Sequence, residues 1–208
     1  IVSSRIEGIA PSARLVALAE LGAHEAVPEV STQARLVANN MTVLHEARTL
    51  LVDAPAITVE HLLDLHAALL PEEPQHHGIR TVQNWIGGSD HHPLDADFVP
   101  PDSERVPALL DDLVDYLRGG GHSPIVQAGL AHAQFETIHP FTDGTGRVGR
   151  ALIHTVLTRR GLTTEAVLPV SLVLSTMRSD YVAGLTAYRH SDPVGSVGFH
   201  AARAAWLR

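Results

Sequence analysis

The sequence predicts an all-α protein. Apolar residues recur at three- and four-residue spacings along most of the chain, the segments carrying them are bounded by helix starting and stopping residues, and strand signal is scarce. From Ser31 to Val52, the residues Leu36, Val37, Leu44 and Leu51 fit a long amphipathic helix that Ala54-Pro55 closes. Thr58 caps the next, which carries Leu62, Leu65, Leu69 and Leu70 before Pro71 stops it. A stripe of Leu109, Leu110, Leu113, Val114 and Leu117 follows Pro107, with Asp111, Asp112 and Asp115 on the other side as a solvated face. Ser123-Pro124 supplies a cap and a proline at the first helical position, so a helix runs from there to about Ile138. Another starts near Gly146, continues through Ala151, Leu152, Val156 and Leu157, and ends at Gly161. Ser171 to Arg189 reads as one or two helices and Val197 to Leu207 as a last one. The non-helical exception is Gly78 to Pro101, where Trp85-Ile86-Gly87-Gly88 and Phe98-Val99-Pro100-Pro101 flank a polar tip in the manner of a β-hairpin or flap.

A chain of 208 residues suits a single domain over 1–208. No apolar run approaches the ~20 residues of a membrane span, so the expectation is a soluble protein with no membrane partner. Lys and Arg number 15 against 23 Asp and Glu, which argues against a broad nucleic-acid surface and makes any phosphate binding local. There is no cysteine, which removes disulfides and thiolate metal sites. Nothing in Ile1 to Ala10 resembles a signal segment, and a cytoplasmic location is the default expectation.

The informative loop is His139-Pro140-Phe141-Thr142-Asp143-Gly144-Thr145-Gly146-Arg147-Val148-Gly149-Arg150. It places a base, a hard-metal ligand, a flexible turn and two guanidinium groups in one short stretch, an inventory suited to polyphosphate. Gly144 and Gly146 allow positive φ, so consecutive amides can turn inward as an anion nest beside the positive end of the following helix. Arg147 and Arg150 stand three apart in that helix, where both can fork onto phosphate oxygens. Asp143 offers an oxygen ligand for Mg²⁺, and His139 has an unperturbed pKa suited to proton abstraction near neutral pH.

This stretch resembles the Fic family motif, His-Pro-Phe-x-Asp/Glu-Gly-Asn-Gly-Arg-x-x-Arg, with the asparagine position alone differing. Phe135-Glu136-Thr137-Ile138 is similar to the family's run into the motif, and Gly78-Ile79-Arg80, Asn84-Trp85-Ile86-Gly87-Gly88 and Pro100-Pro101 resemble the region of its substrate-aligning flap. The resemblance implies a Fic fold, a helical bundle with a short β-hairpin flap. It divides the chain into N-terminal helices at 1–77, a core at 78–190 and a C-terminal helix at 191–208.

It also implies an activity, the transfer of AMP from ATP to a Ser, Thr or Tyr hydroxyl of a target protein. His139 takes the hydroxyl proton, Asp143 holds Mg²⁺ on the α- and β-phosphates, the amides from Gly144 through Thr145 to Gly146 cradle phosphate, and Arg147 and Arg150 neutralise the far end of the triphosphate. Tyr181, in a segment resembling the family's aromatic positions, either lines the adenine pocket or packs between helices. Ser3-Ser4-Arg5-Ile6-Glu7-Gly8 is similar to the family's inhibitory pattern, in which Glu7 pairs with Arg150 and obstructs the γ-phosphate; Ser4 and Glu7 also spell a helix capping box. An unidentified target protein is expected to align on the flap around 83–99 through backbone pairing. Relatives often pair, which makes a homodimer one expected assembly.

Thr145 is the departure. Threonine is β-branched, disfavours positive φ and has a shorter reach than asparagine, so it either replaces part of the phosphate contact or distorts the nest. That keeps other readings open: a different phosphate-containing donor, removal of AMP, or a non-catalytic module that binds a target. Among the 14 histidines, the pairs His76-His77 and His91-His92 read as loop residues, and His132 as an ordinary helix residue.

Overall fold

A computed structural model describes residues 47–89, 91–119, 121–163 and 170–208. The expected Ser31–Val52 helix falls largely outside them, as does Glu7; the part described is Ala47 and a π-helical turn, Arg48–Val52, with Leu51 fully buried. Arg159 donates from Nη1 to the carbonyls of Leu51, Val52 and Ala54 at 2.6, 3.1 and 2.6 Å, satisfying acceptors that a helix end leaves open.

Seven α-helices follow among the described residues. In α1 (Val59–Leu69), Thr58 closes a capping box with His61, each side chain accepting from the other residue's N–H at 3.3 Å. Helix α2 (Val106–Arg118) buries Leu110, Leu113, Val114 and Leu117 and turns Asp111, Asp112 and Asp115 to the surface, as its stripe requires. Helix α3 (Pro124–Ile138) is the central element. Ala128, Leu130, Ala131, Ala133, Phe135 and Ile138 are all buried, and such residues occur around its whole circumference. Helix α4 (Thr145–Arg159) packs along α3, and the chain leaves it through Gly161 at φ 73°, with Leu162 N–H bonded to Leu157 O at 2.9 Å.

Ser171 to Arg189 resolves into two helices, α5 (Val170–Thr176) and α6 (Arg178–Tyr188), and α7 (Val197–Trp206) is capped by the Ser196 hydroxyl. Trp206 Nε1 donates to Gly129 O at 2.8 Å and seats α7 on α3. None of the described helices is long and apolar enough to cross a membrane.

Between Gly78 and Pro101 the described residues form no α-helix, and Ile86 and Phe98 form one antiparallel bridge, with N–H to O distances of 2.9 and 3.2 Å. The full ladder of a β-hairpin is not formed among the described residues. Gly87 and Gly88, at φ 75° and 72°, turn the chain immediately after Ile86, and Pro100 and Pro101 have no N–H to extend pairing on the other side.

Candidate active site

Helix α3 ends on His139, whose φ of 47° and ψ of 64° are left-handed, and it is the one non-glycine residue with positive φ among those described. Such a conformation costs an L-residue roughly 1–2 kcal/mol, so neighbours must hold it. Arg80 does much of this. Its buried guanidinium donates from Nε to His139 O at 2.9 Å and from Nη2 to Ile138 O at 3.4 Å, while its own N–H bonds Pro140 O at 2.9 Å. The same guanidinium donates to Val82 O at 3.0 Å and to Pro101 O, the two ends of the flap. One side chain thereby ties flap and motif together.

The His139 imidazole is driven down to about pKa 4, chiefly by burial and then by the cations of Arg189 and Arg80, so it is neutral at pH 7. Its Nδ1 lies 2.9 Å from Asn84 Nδ2, which is also 3.1 Å from Phe141 O. Phe141 is buried and stacks on His66 of α1, with centroids 3.8 Å apart and planes at 11°. His66, held near pKa 4 mainly by its burial, is neutral and donates from Nε2 to Asp143 O at 2.9 Å. The loop is thus pinned from both sides.

Asp143 leaves about half of its side chain exposed. One carboxylate oxygen accepts the Gly144 N–H at 2.6 Å and the other accepts from Arg147 Nη2 at 3.0 Å. Gly144 caps α4 at φ 79°, and a Cβ there would stand 2.9 Å from Leu69 Cδ2 and 3.3 Å from the His66 ring. Both the backbone angle and the packing demand glycine. Gly146, expected to share the positive φ, is helical instead, so the anion cradle is one left-handed glycine plus the first amides of α4, which have no preceding carbonyl in the helix.

Thr145 is likewise helical and has no positive φ, so the conflict between a β-branched residue and a left-handed backbone does not arise. Its side chain is buried, and the hydroxyl reaches back toward Phe141 O at 3.5 Å. Arg147 and Arg150 are each 3% exposed. Arg147 turns back onto Asp143, while Arg150 lies beside the Tyr181 hydroxyl. The Tyr181 hydroxyl is 3.0 Å from His132 Nε2, and its ring forms a three-membered cluster with those of His132 and Trp206. Burial and the neighbouring Glu136 push the Tyr181 hydroxyl pKa up, while burial and Arg150 push His132 down to about 3. Gly149 permits this crossing of α3 and α4, since a Cβ on it would come within 2.5 Å of Glu136 Oε1.

The edge left accessible is therefore His139, Thr142, Asp143 and Gly146, with Thr145, Arg147 and Arg150 beneath it. Arg189 closes one side. It lies 4.0 Å over the Phe98 ring of the flap and donates to Glu136 O at 3.2 Å. His66 has no role in the motif reading, and its signal is faint: a lone histidine on the leucine face of α1. Arg80 and Asn84 stand in the flap sequence, but their bonds to the motif are visible only in three dimensions.

Mg²⁺ typically takes one or two carboxylates together with substrate phosphates. A single half-exposed carboxylate at a helix N-terminus fits an ion that arrives with its phosphates, and no group of three His, Cys, Asp or Glu among the described residues forms a self-sufficient metal site.

Comparison with known proteins decides the family, for residues 56–157 match the Fic/DOC family. The chain carries a Fic/DOC domain. It is 34% identical over 134 residues to protein adenylyltransferase fic-1 of Caenorhabditis elegans, covering 62% of this chain and 23% of that protein. To protein adenylyltransferase Fic of Nematostella vectensis it is 29% identical over 147 residues, covering 69% of this chain and 31% of that protein. The chain thus spans a quarter to a third of the length of these curated relatives. Its Fic fold is similar to a Fic family protein from Desulfovibrio desulfuricans G20, with a TM-score of 0.74 at 25% identity over 99% of this chain and 60% of that one. A Fic domain containing signaling protein from Bacteroides thetaiotaomicron shares the fold, with a TM-score of 0.75 at 20% identity over 99% of this chain and 77% of that one.

Proposed function

We propose that this Fic/DOC domain is a protein adenylyltransferase, a single domain that moves AMP from ATP onto a hydroxyl of a target protein. The observation that carries the reading is the pairing of a neutral, positioned His139 with a cradle of helix N-terminal amides and the half-exposed Asp143 carboxylate. The reading is also supported by relatives that bear the name protein adenylyltransferase.

In the reaction, His139 takes the proton of a Ser, Thr or Tyr hydroxyl as its oxygen attacks the α-phosphorus of ATP. The new oxygen–phosphorus bond replaces the bond to the β-phosphate oxygen, and pyrophosphate leaves. Asp143 would hold Mg²⁺, which when bound supplies charge neutralisation across the α- and β-phosphates. The amides at Gly144 to Gly146 fix the phosphates, and Arg147 and Arg150 add positive charge under the cradle. Thr145 is compatible with this arrangement, because it braces Phe141 O from within the first turn of α4. The exposed rim around the Ile86–Phe98 bridge supplies an extended edge on which a target segment pairs by its backbone. Glu7, outside the described residues, is the inhibitory partner of Arg150 in this reading.

Incubation of wild type, Glu7→Gly and His139→Ala proteins with α-labelled ATP and Mg²⁺ tests it. Label on protein should rise with Glu7→Gly and disappear with His139→Ala. Equal labelling of all three would remove His139 from the chemistry, and no effect of Glu7→Gly on labelling or ATP binding would remove the switch.

A further inference from the structure

We propose that Asn84 is a positioning residue for His139, whose side-chain amide turns over to place the imidazole proton first on Nε2 and then on Nδ1; the proposal rests on His139 acting as the base. The atom of Asn84 that faces His139 Nδ1 at 2.9 Å also faces Phe141 O at 3.1 Å. A carbonyl oxygen accepts and does not donate, so the amide group turned to Phe141 O is the NH₂. That NH₂ must then donate to Nδ1 as well. The lone pair of Nδ1 is engaged, and the single proton of the neutral ring sits on Nε2.

This resting arrangement is unsuited to proton abstraction at the outer nitrogen. A base at Nε2 needs its lone pair free, which requires the proton on Nδ1, and an Nδ1–H facing an NH₂ sets two donors against each other. Asn84 itself holds the remedy. Its Oδ1 is buried and has no hydrogen-bond partner among the described residues, an unfavourable condition for an acceptor. Rotation of the amide by half a turn is nearly isosteric and presents Oδ1 to Nδ1–H; it also sets Oδ1 against Phe141 O and leaves the NH₂ without an acceptor among the described residues, so the turned state is favoured only while Nδ1 carries a proton. The carbonyl of Phe141, released by the amide, retains the Thr145 hydroxyl at 3.5 Å as a donor.

The proton balance closes. The ring yields its Nε2 proton to solvent and gains one at Nδ1 from solvent, and its charge is unchanged. Nε2 then accepts the target hydroxyl proton, and Oδ1 of Asn84 holds the Nδ1–H of the resulting imidazolium. The position of Asn84, two residues before the bridge residue Ile86, makes the amide part of the flap on which a target would lie.

The test begins with ¹⁵N spectra of histidine-labelled wild type at pH 7, the His139 signals being those lost in His139→Ala. Wild type should show Nδ1 unprotonated and Nε2 protonated, and Asn84→Asp, which offers acceptors alone, should show the reverse. A wild-type ring protonated on Nδ1 overturns the proposal whatever the activity.

In the Glu7→Gly background, Asn84→Leu should lower self-modification at saturating ATP by about tenfold, the value of one hydrogen bond. The ATP concentration for half-maximal rate should stay unchanged, and Asn84→Asp should recover most of the loss. Labelling by Asn84→Leu as fast as the parent or faster would mean that Asn84 merely blocks Nδ1, and would also overturn the proposal. If the spectra are as expected but the Glu7→Gly parent labels nothing, the tautomer assignment stands and the transferase reading fails.

Discussion

Replacing Arg80 by alanine should loosen the flap from the motif and destabilise the whole domain. The guanidinium serves four carbonyls: His139 at 2.9 Å, Val82 at 3.0 Å, Ile138 at 3.4 Å, and Pro101. A buried acceptor left without its donor costs about 1–3 kcal/mol, and hydrogen bonds from charged donors sit at the upper end. Val82 is 57% exposed, so water replaces the donor there, and the long bond to Ile138 contributes little. The His139 and Pro101 carbonyls carry most of the effect, which gives a loss of about 3–5 kcal/mol. That is a large share of the ~5–15 kcal/mol that holds a domain together, and corresponds to a fall in Tm of roughly 10 °C. Arg80→Lys should recover only part, because one ammonium cannot reach carbonyls on the flap and on the motif at once. Urea titrations of the three proteins measure the difference, and faster amide hydrogen exchange in the flap reports where it acts. An Arg80→Ala protein within about 1 kcal/mol of wild type would refute the assignment of Arg80 as the tie between flap and motif.

Gly144→Ala should cost about 2–4 kcal/mol and weaken nucleotide binding, since it adds left-handed strain to a Cβ 2.9 Å from Leu69 Cδ2; calorimetry showing an unchanged Tm would contradict the packing. The domain should also lose stability as pH falls from 6.5 toward 4. His66, His132 and His139 are held by burial near pKa 4, 3 and 4, below their ordinary 6.5, so the unfolded chain binds more protons in that window. Stability is then greatest above pH 6.5 and declines by about 1 kcal/mol per group per pH unit below it; equal urea midpoints at pH 7 and pH 5 would show that these rings are protonated in the fold.

Much of the fold is legible in the sequence because its helices are set by local rules. Thr58, Ser196 and Gly161 start or stop helices where their chemistry says they should, and the apolar stripe of α2 faces inward as spaced. The flap was less legible, since glycines and prolines forecast a turn but not how few backbone pairs survive beside it. The site divides in the same way. A run of contiguous residues holding His139, Asp143 and Gly144 declares its chemistry through order alone. The helical backbone of Thr145 is not legible in the pattern because α4 starts one residue earlier than Gly146, and a single residue at a helix start separates a left-handed cap from a helical first turn.

By itself, then, the sequence determined an all-α chain with a Fic-type loop between two helices, because capping, periodicity and a contiguous motif are properties of near neighbours along the chain. The tertiary structure alone decided that Arg80, 59 residues before His139, clamps its carbonyl, that Asn84 faces its Nδ1, and that His66 bonds the loop from 77 residues away. Contacts of that range depend on how α1, α3 and the flap pack around one another. The neutrality of His139 has the same origin, since burial and the cations of Arg189 and Arg80 converge on it only once those elements have assembled.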